Sequence, residues 1–328
     1  MDDLELARPA RRVVEGPAAV EPDEEVLVVV DPGAVELGRA LALASRAAGT
    51  TTTFCVIPRQ GGHGEEPPAT VAGAMREADV VLAANEHSLT HTRARQEAAD
   101  AGARVLVLRG VTPGMMTDGA MTADFDAVRE TTALVCAALA AAETASVTAP
   151  AGTDVEMSLE GRGAIPLDGF FHDYGFANLP PGLAVTSPVE GTAEGRIVLD
   201  HAMDGIGALS EPVELAVEDG RAVAIDGGRA ADELRELLAA GAGDPYNLAE
   251  LALGTNPAAR LTDNLAECKK RLGVLDVALG DNTSIGGATE SSLHLDAIVT
   301  RPTLRLDGTV VVRAGDLDRE ALRAVADG

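Results

Sequence analysis

His294 and Asp296 lie two residues apart in the segment 291–299, Ser-Ser-Leu-His-Leu-Asp-Ala-Ile-Val, and an extended chain puts residues two apart on one face. An imidazole nitrogen beside a carboxylate oxygen is a donor pair suited to zinc, iron or manganese rather than to calcium or magnesium. Two ligands do not close a site, so this reading requires at least one more from elsewhere in the chain. The competing reading is that Leu293, Leu295 and Ile298 face a core while His294 and Asp296 face water.

Such a site also needs a proton carrier, and histidine titrates in the appropriate range. Of the six histidines, His172 stands out, because Phe170, Phe171, Tyr174 and Phe176 gather beside it in a chain that has only five Phe and two Tyr. Scarce aromatics around one histidine suggest a pocket for a flat substrate, with Tyr174 as a contact; a small aromatic core cluster is the equally economical alternative. His91 opens a helix expected over His91 to Ala101 and is the second candidate proton carrier. Arg95, one turn further on the same face, either holds a substrate carboxylate or phenolate or is simply solvated. His63, His87 and His201 have no such context and are expected at the surface.

The elements that must position these groups fall into two grammars. Val26 to Asp31, Val-Leu-Val-Val-Val-Asp, is a β-branched run of the kind that forms a buried parallel strand, and the Ala-rich stretch Glu36 to Ala48 is helical. The alternation continues with strands at Thr52 to Ile57, Asp79 to Ala84 and Arg104 to Arg109 and helices at Ala69 to Ala78 and His91 to Ala101, which predicts a doubly wound parallel sheet. Ligands approach the carboxyl ends of such strands, where Asn85 to His91 would sit. No GxGxxG follows the first strand, so no dinucleotide site is claimed. After a helix over Phe125 to Ala142, short alternating strands take over, with Asp-Gly hairpin signals at Asp219-Gly220 and Asp307-Gly308. Helices over Gly227 to Ala240 and Pro257 to Leu272 make this part α+β. The expected organisation is therefore α/β, with a doubly wound parallel-sheet domain over 1–146 and an α+β domain carrying the His294 strand over 147–328.

Composition limits the function. A formal net charge of −26 argues against nucleic acid or an anionic membrane surface as partner. Cys55, Cys136 and Cys268 are scattered without CxxC spacing, so neither a disulfide framework nor a thiolate metal site is implied. No stretch is apolar for the roughly 20 residues of a bilayer span, and no basic segment with an apolar run opens the chain, so a cytoplasmic protein with a small-molecule substrate is expected.

Several phrases together resemble the M29 metallopeptidase-like family, which includes aminopeptidase T and the 2,5-dihydroxypyridine 5,6-dioxygenases. They are Gly152-Thr153-Asp154, Ser158 to Arg162, Asn178 to Gly182, Pro188 to Gly191, Gly254 to Pro257, Ala278 to Asn282 and His294-Leu295-Asp296, joined in the first part by His91 to Arg95. The resemblance implies that His294 and Asp296 are metal ligands and places Glu250 where a metal-binding glutamate is expected. Leu183 stands where a second glutamate is expected, Asp276 where a histidine is expected, and the segment Asp281 to Ile285 lacks the expected tyrosine; from it, Asn282 and Ser284 are taken as candidate substrate contacts. Glu250, His294 and Asp296 would leave room for substrate and water around a single catalytic metal. Iron(II) is favoured by the dioxygenase branch, with manganese or zinc as alternatives for a set of one histidine and two carboxylates.

The leading expectation is a mononuclear metal enzyme acting on a small hydroxylated aromatic or N-heterocycle, resembling the ring-cleaving dioxygenases. An M29-type aminopeptidase or amidohydrolase, with Glu190 or Glu250 assisting water attack, is the second. A catalytically inactive member is the third. Family likeness and exposed strand edges in the second domain also point to a homo-oligomer.

Overall fold

The computed structural model describes residues 3–62, 64–172 and 175–328. The chain folds as a mixed α/β protein in two compact units, one formed by Met1–Arg129 with Leu167–Pro181 and the other by Glu130–Pro166 with Gly182–Gly328.

In the first unit, five parallel strands stand in the order Thr51–Val56, Glu25–Val30, Val80–Ala84, Arg104–Leu108, Phe176–Leu179. The apolar runs Val-Leu-Val-Val-Val and Val-Val-Leu-Ala-Ala are buried along their length because the sheet is covered on both sides. Val28, Val30, Leu82 and Leu106 pack with Leu6 and Val13 of the helix Asp3–Glu15 and Leu37 and Leu41 of the helix Val35–Ala47. Leu27, Val29, Val81 and Val105 pack on the other face with Val71 and Met75 of Ala69–Glu77 and Ala94 and Ala98 of Arg93–Asp100. The fifth strand arrives from distant sequence and pairs with Arg104–Leu108 in parallel, so the units are not consecutive segments divided at one point near Val147. A four-residue strand reading Phe-Ala-Asn-Leu carries no local signal of which sheet it joins.

The second unit contains two antiparallel sheets whose inward residues share one core. Both Asp-Gly turns form as expected. Asp219 and Gly220 have φ of 49° and 71°, and Asp307 and Gly308 have 46° and 79°, the left-handed pairs that two-residue hairpins require. The helix expected over Pro257 to Leu272 is reduced to the four-residue Leu265–Cys268. Asn256 Oδ1 takes the backbone N–H groups of Ala258 and Ala259, and Asn264 Oδ1 takes that of Ala266. Such side-chain capping favours successive turns over a continuous helix.

In the seven-stranded sheet, five neighbouring strands run Ala202–Met203, His294–Val299, Leu275–Gly280, Leu248–Gly254, Leu183–Thr186. Leu251, Leu253, Leu275, Val277, Leu279, Leu295, Ala297 and Val299 point into the shared core, and alternation sends their neighbours to the opposite face. Gly280 lies opposite His294 with φ of 112°. A Cβ there would stand 2.1 Å from the Leu293 carbonyl oxygen. Gly280→Ala therefore combines a disfavoured backbone conformation, worth about 1–2 kcal/mol by itself, with a backbone clash at the start of the His294 strand. Chemical denaturation is expected to show at least that loss; an unchanged midpoint would show that the strands separate there at no cost.

Candidate metal centre

Glu250 and Asp296 lie directly opposite Ala278 from its two sides, so three adjacent strands place them on one face with a methyl group between them. His294, two residues before Asp296, projects from the same face opposite Gly280. Glu250 reaches that face through a β-bulge. The register slips between Leu248 and Glu250, so Leu248 joins Leu251 and Leu253 in the core while Glu250 is turned away from it.

Among the described residues, Glu250, His294 and Asp296 offer three ligand atoms that all lie within 4.8 Å of one another. His294 Nε2 is 3.3 Å from Glu250 Oε2 and 3.3 Å from Asp296 Oδ1. Its Nδ1–H donates to the Asp281 carbonyl at 2.7 Å, which fixes the ring and turns Nε2 toward the two carboxylates. The carboxylates are 4% and 2% exposed, and Glu250 Oε1 is buried without a hydrogen-bond partner. An acceptor left without a donor inside a protein is costly. A divalent cation at this point would satisfy it, so the donor set fits a metal. Burial alone would lower the His294 pKa, but the hydrogen bonds to Asp296 and Glu250 outweigh it and hold the pKa well above the ordinary value. The imidazole there keeps its proton to higher pH than a free one.

A third carboxylate, Asp276, continues the row two residues before Ala278, opposite Ala252 and Ile298. It is fully buried, and burial and the Asp296 charge push its pKa well up while Lys269 opposes them. Lys269 Nζ ion-pairs with Asp296 Oδ2 and lies 3.3 Å from Asp276 Oδ2. Lys270 is 4% exposed. Burial and the neighbouring Lys269 charge bring its pKa down to about 7. Both lysines follow the short helix Leu265–Cys268, whose Leu265 and Cys268 cluster with Ile298 on this face. Reading the sequence for histidines and carboxylates missed this pair, although a signal was present. They are the only lysines in the chain; every other strong base is arginine.

The remaining candidates are distributed otherwise. Leu183 is buried in the strand Leu183–Thr186 and supplies no donor. Asn282 is fully buried with its amide committed: Nδ2 donates to Ser187 Oγ and Glu190 Oε1, and Oδ1 accepts from the Thr289 N–H. Ser284 is exposed in the turn Thr283–Ile285. Glu190 is ion-paired to Arg162. Partial burial would raise its pKa, but the Ala288 N–H, Asn282 and Arg162 together hold it below the ordinary range, which suits an anchor better than a base.

His91, Arg95 and His172 belong to the first unit. The helix begins at Arg93 with Thr92 as its cap, so His91 precedes it and is exposed. Arg95 is half-buried, its guanidinium 4.5 Å above the Phe176 ring and its Nε donating to the Thr90 carbonyl at 2.7 Å. His172 Nε2–H donates to the buried Asp168 at 3.1 Å. The nearby aromatics divide between the two faces of the parallel sheet, with Phe170 and Phe171 on one core and Phe176 on the other. They serve packing rather than one shared pocket. Tyr174 and His63 lie outside the described residues. His87 and His201, expected at the surface, are half-buried, and His201 Nε2–H is held by the Thr262 carbonyl.

Comparison with known proteins identifies the family. Residues 17–319 match the NicX family, 2,5-dihydroxypyridine 5,6-dioxygenase, and the chain belongs to that family. The 2,5-dihydroxypyridine 5,6-dioxygenase of Pseudomonas putida is 27% identical over 259 residues, which cover 74% of this chain and 72% of that protein. The solved structure of 2,5-dihydroxypyridine dioxygenase from Pseudomonas putida KT2440 superposes with a TM-score of 0.82 at 20% identity, covering 97% of this chain and 98% of that one. Wild-type AmpT from Thermus thermophilus gives 0.69 at 20% identity, with 96% and 99% covered. These two likenesses are of fold.

Lys270 makes stability depend on pH. Unfolded, the amine holds its proton up to its ordinary pKa of 10.5; folded, it releases it at about 7. Folding thus expels a proton between those values, and this contribution to stability rises with pH across the window. Lys270→Met is expected to be more stable than the parent at and below neutral pH, with the difference shrinking toward pH 10.5 in thermal melts of metal-free protein. A difference independent of pH would contradict the charge assignment.

Proposed function

We propose that this chain is a mononuclear, metal-dependent ring-cleaving dioxygenase acting on a small hydroxylated N-heterocycle of the 2,5-dihydroxypyridine type, with the metal held by Glu250, His294 and Asp296. The observation that carries the reading is the convergence of those donors, two of them buried carboxylates, on one point in a chain of the 2,5-dihydroxypyridine 5,6-dioxygenase family. Iron(II) is favoured over manganese or zinc, and once bound it would supply dioxygen chemistry together with a Lewis-acidic centre for the substrate hydroxyl groups.

The protein's own residues support that chemistry. The Asp281 carbonyl orients His294, and Glu250 and Asp296 supply two negative charges against a divalent ion. Lys270, with its pKa near 7, is able to take up and return a proton at neutral pH inside a site that water scarcely reaches. A peptidase reading has less support. Leu183 offers no ligand, and Asp276 and Glu190 are engaged by Lys269 and Arg162.

The test is metal content and oxygen uptake of anaerobically purified protein presented with dihydroxypyridines, catechols and, separately, aminopeptidase substrates. One iron per chain is expected, lost in His294→Ala and Glu250→Ala, with oxygen uptake only on the hydroxylated rings. Peptide hydrolysis without oxygen uptake would overturn the reading in favour of the hydrolase. Because a proton on His294 competes with the metal, apparent metal affinity should fall as pH falls, and loading should release about one proton per site when followed by calorimetry in buffers of different ionisation heat. Loading without proton release would place the metal elsewhere.

A further inference from the structure

The two oxygens of Asp296 face different partners. Oδ1 is 3.3 Å from His294 Nε2, on the side where Glu250 completes the ligand group, and Oδ2 is bonded to Lys269 Nζ. The same ammonium lies 3.3 Å from Asp276 Oδ2. One carboxylate thus serves two cation positions side by side, the arrangement by which a shared carboxylate bridges a pair of metal ions. Here a side chain fills one of them. We propose that Lys269 is a built-in cation that occupies the second position and so limits the centre to a single metal ion. The inference rests on the metal reading above and adds to it what fixes the stoichiometry.

The burial of the participants supports this assignment. Asp276 is fully buried, and neither of its oxygens has a hydrogen-bond partner, so the ion pair with Lys269 compensates it without the alignment of a hydrogen bond. Lys269 is itself only 11% exposed. A compact, point-like ammonium fits between two carboxylates where a planar guanidinium would need a wider, forked opening. That distinction bears weight in a chain that uses arginine for every strong base except Lys269 and Lys270. With the ammonium removed, Asp276 and Asp296 would be neighbouring buried carboxylates with no cation between them, which is a ligand pair for a divalent ion.

Stoichiometry separates this role from a merely structural ion pair. Full-length protein would be loaded with manganese, freed of excess by gel filtration, and assayed by elemental analysis and electron paramagnetic resonance. The wild type is expected to hold about one manganese per chain with an isolated-ion signal. Lys269→Gln, which keeps a donor but removes the charge, and Lys269→Met are each expected to hold about two, with the signal of a coupled pair. Lys269→Gln with Asp276→Asn, which removes one carboxylate of the pair, should return to one. Expressing the variants in manganese-supplemented medium supplies the missing charge during folding, and Lys269→Gln is the milder substitution should Lys269→Met not fold. Two ions in the wild type, or one in folded Lys269→Gln, overturns the inference. A wild type holding one ion that His294→Ala loses, alongside a Lys269→Gln that also holds one, overturns this inference alone. A wild type holding none overturns the metal reading with it.

Discussion

Three carboxylates, Glu250, Asp276 and Asp296, share one buried face of neighbouring strands, each no more than 4% exposed. Charges taken out of water persist only beside compensating ones, and this requirement explains much of the architecture around them. The bulge after Leu248 turns Glu250 to that face, Ala278 leaves space between Glu250 and Asp296, and Gly280 lets the His294 strand approach closely. The turns that replace a longer helix over Pro257 to Leu272 bring Lys269 to the same face. Sheet, bulge, turns and Lys269 thus meet one electrostatic demand.

The face is uneven in charge along its length. At one end an imidazolium lies between Glu250 and Asp296, and at the other an ammonium lies between Asp296 and Asp276. The imidazole can exchange its proton for a metal, whereas the lysine cannot yield its place without leaving its carboxylates bare. On the proposed reading, this asymmetry, rather than the number of available oxygens, would make one end a metal position and the other a fixed charge.

Sequence patterns made the architecture legible where periodicity was strong. The β-branched runs beginning at Val26 and Asp79 and the Asp-Gly turns at 219–220 and 307–308 act locally and formed as expected. His294 and Asp296 were legible for the same reason, since strand alternation alone pairs them. Glu250 was not legible from alternation. Its bulge breaks the period, and family likeness alone pointed to it. Phe176–Leu179 is too short to reveal its sheet, and only its place there sends Phe176 to the face opposite Phe170 and Phe171. Lys269 and Lys270 were overlooked because adjacent lysines ordinarily read as solvated surface; their isolation in an arginine-rich chain was the available clue.

In the proposed centre a single divalent ion sits among Glu250, His294 and Asp296 while Lys269 keeps the other side of Asp296. Anomalous diffraction from crystals grown with iron or manganese tests it most directly. One anomalous peak is expected within bonding distance of the Glu250 carboxylate, His294 Nε2 and Asp296 Oδ1, with Lys269 Nζ still on Asp296 Oδ2. A peak between Asp276 and Asp296 with the lysine displaced, or no peak on this face, would contradict it.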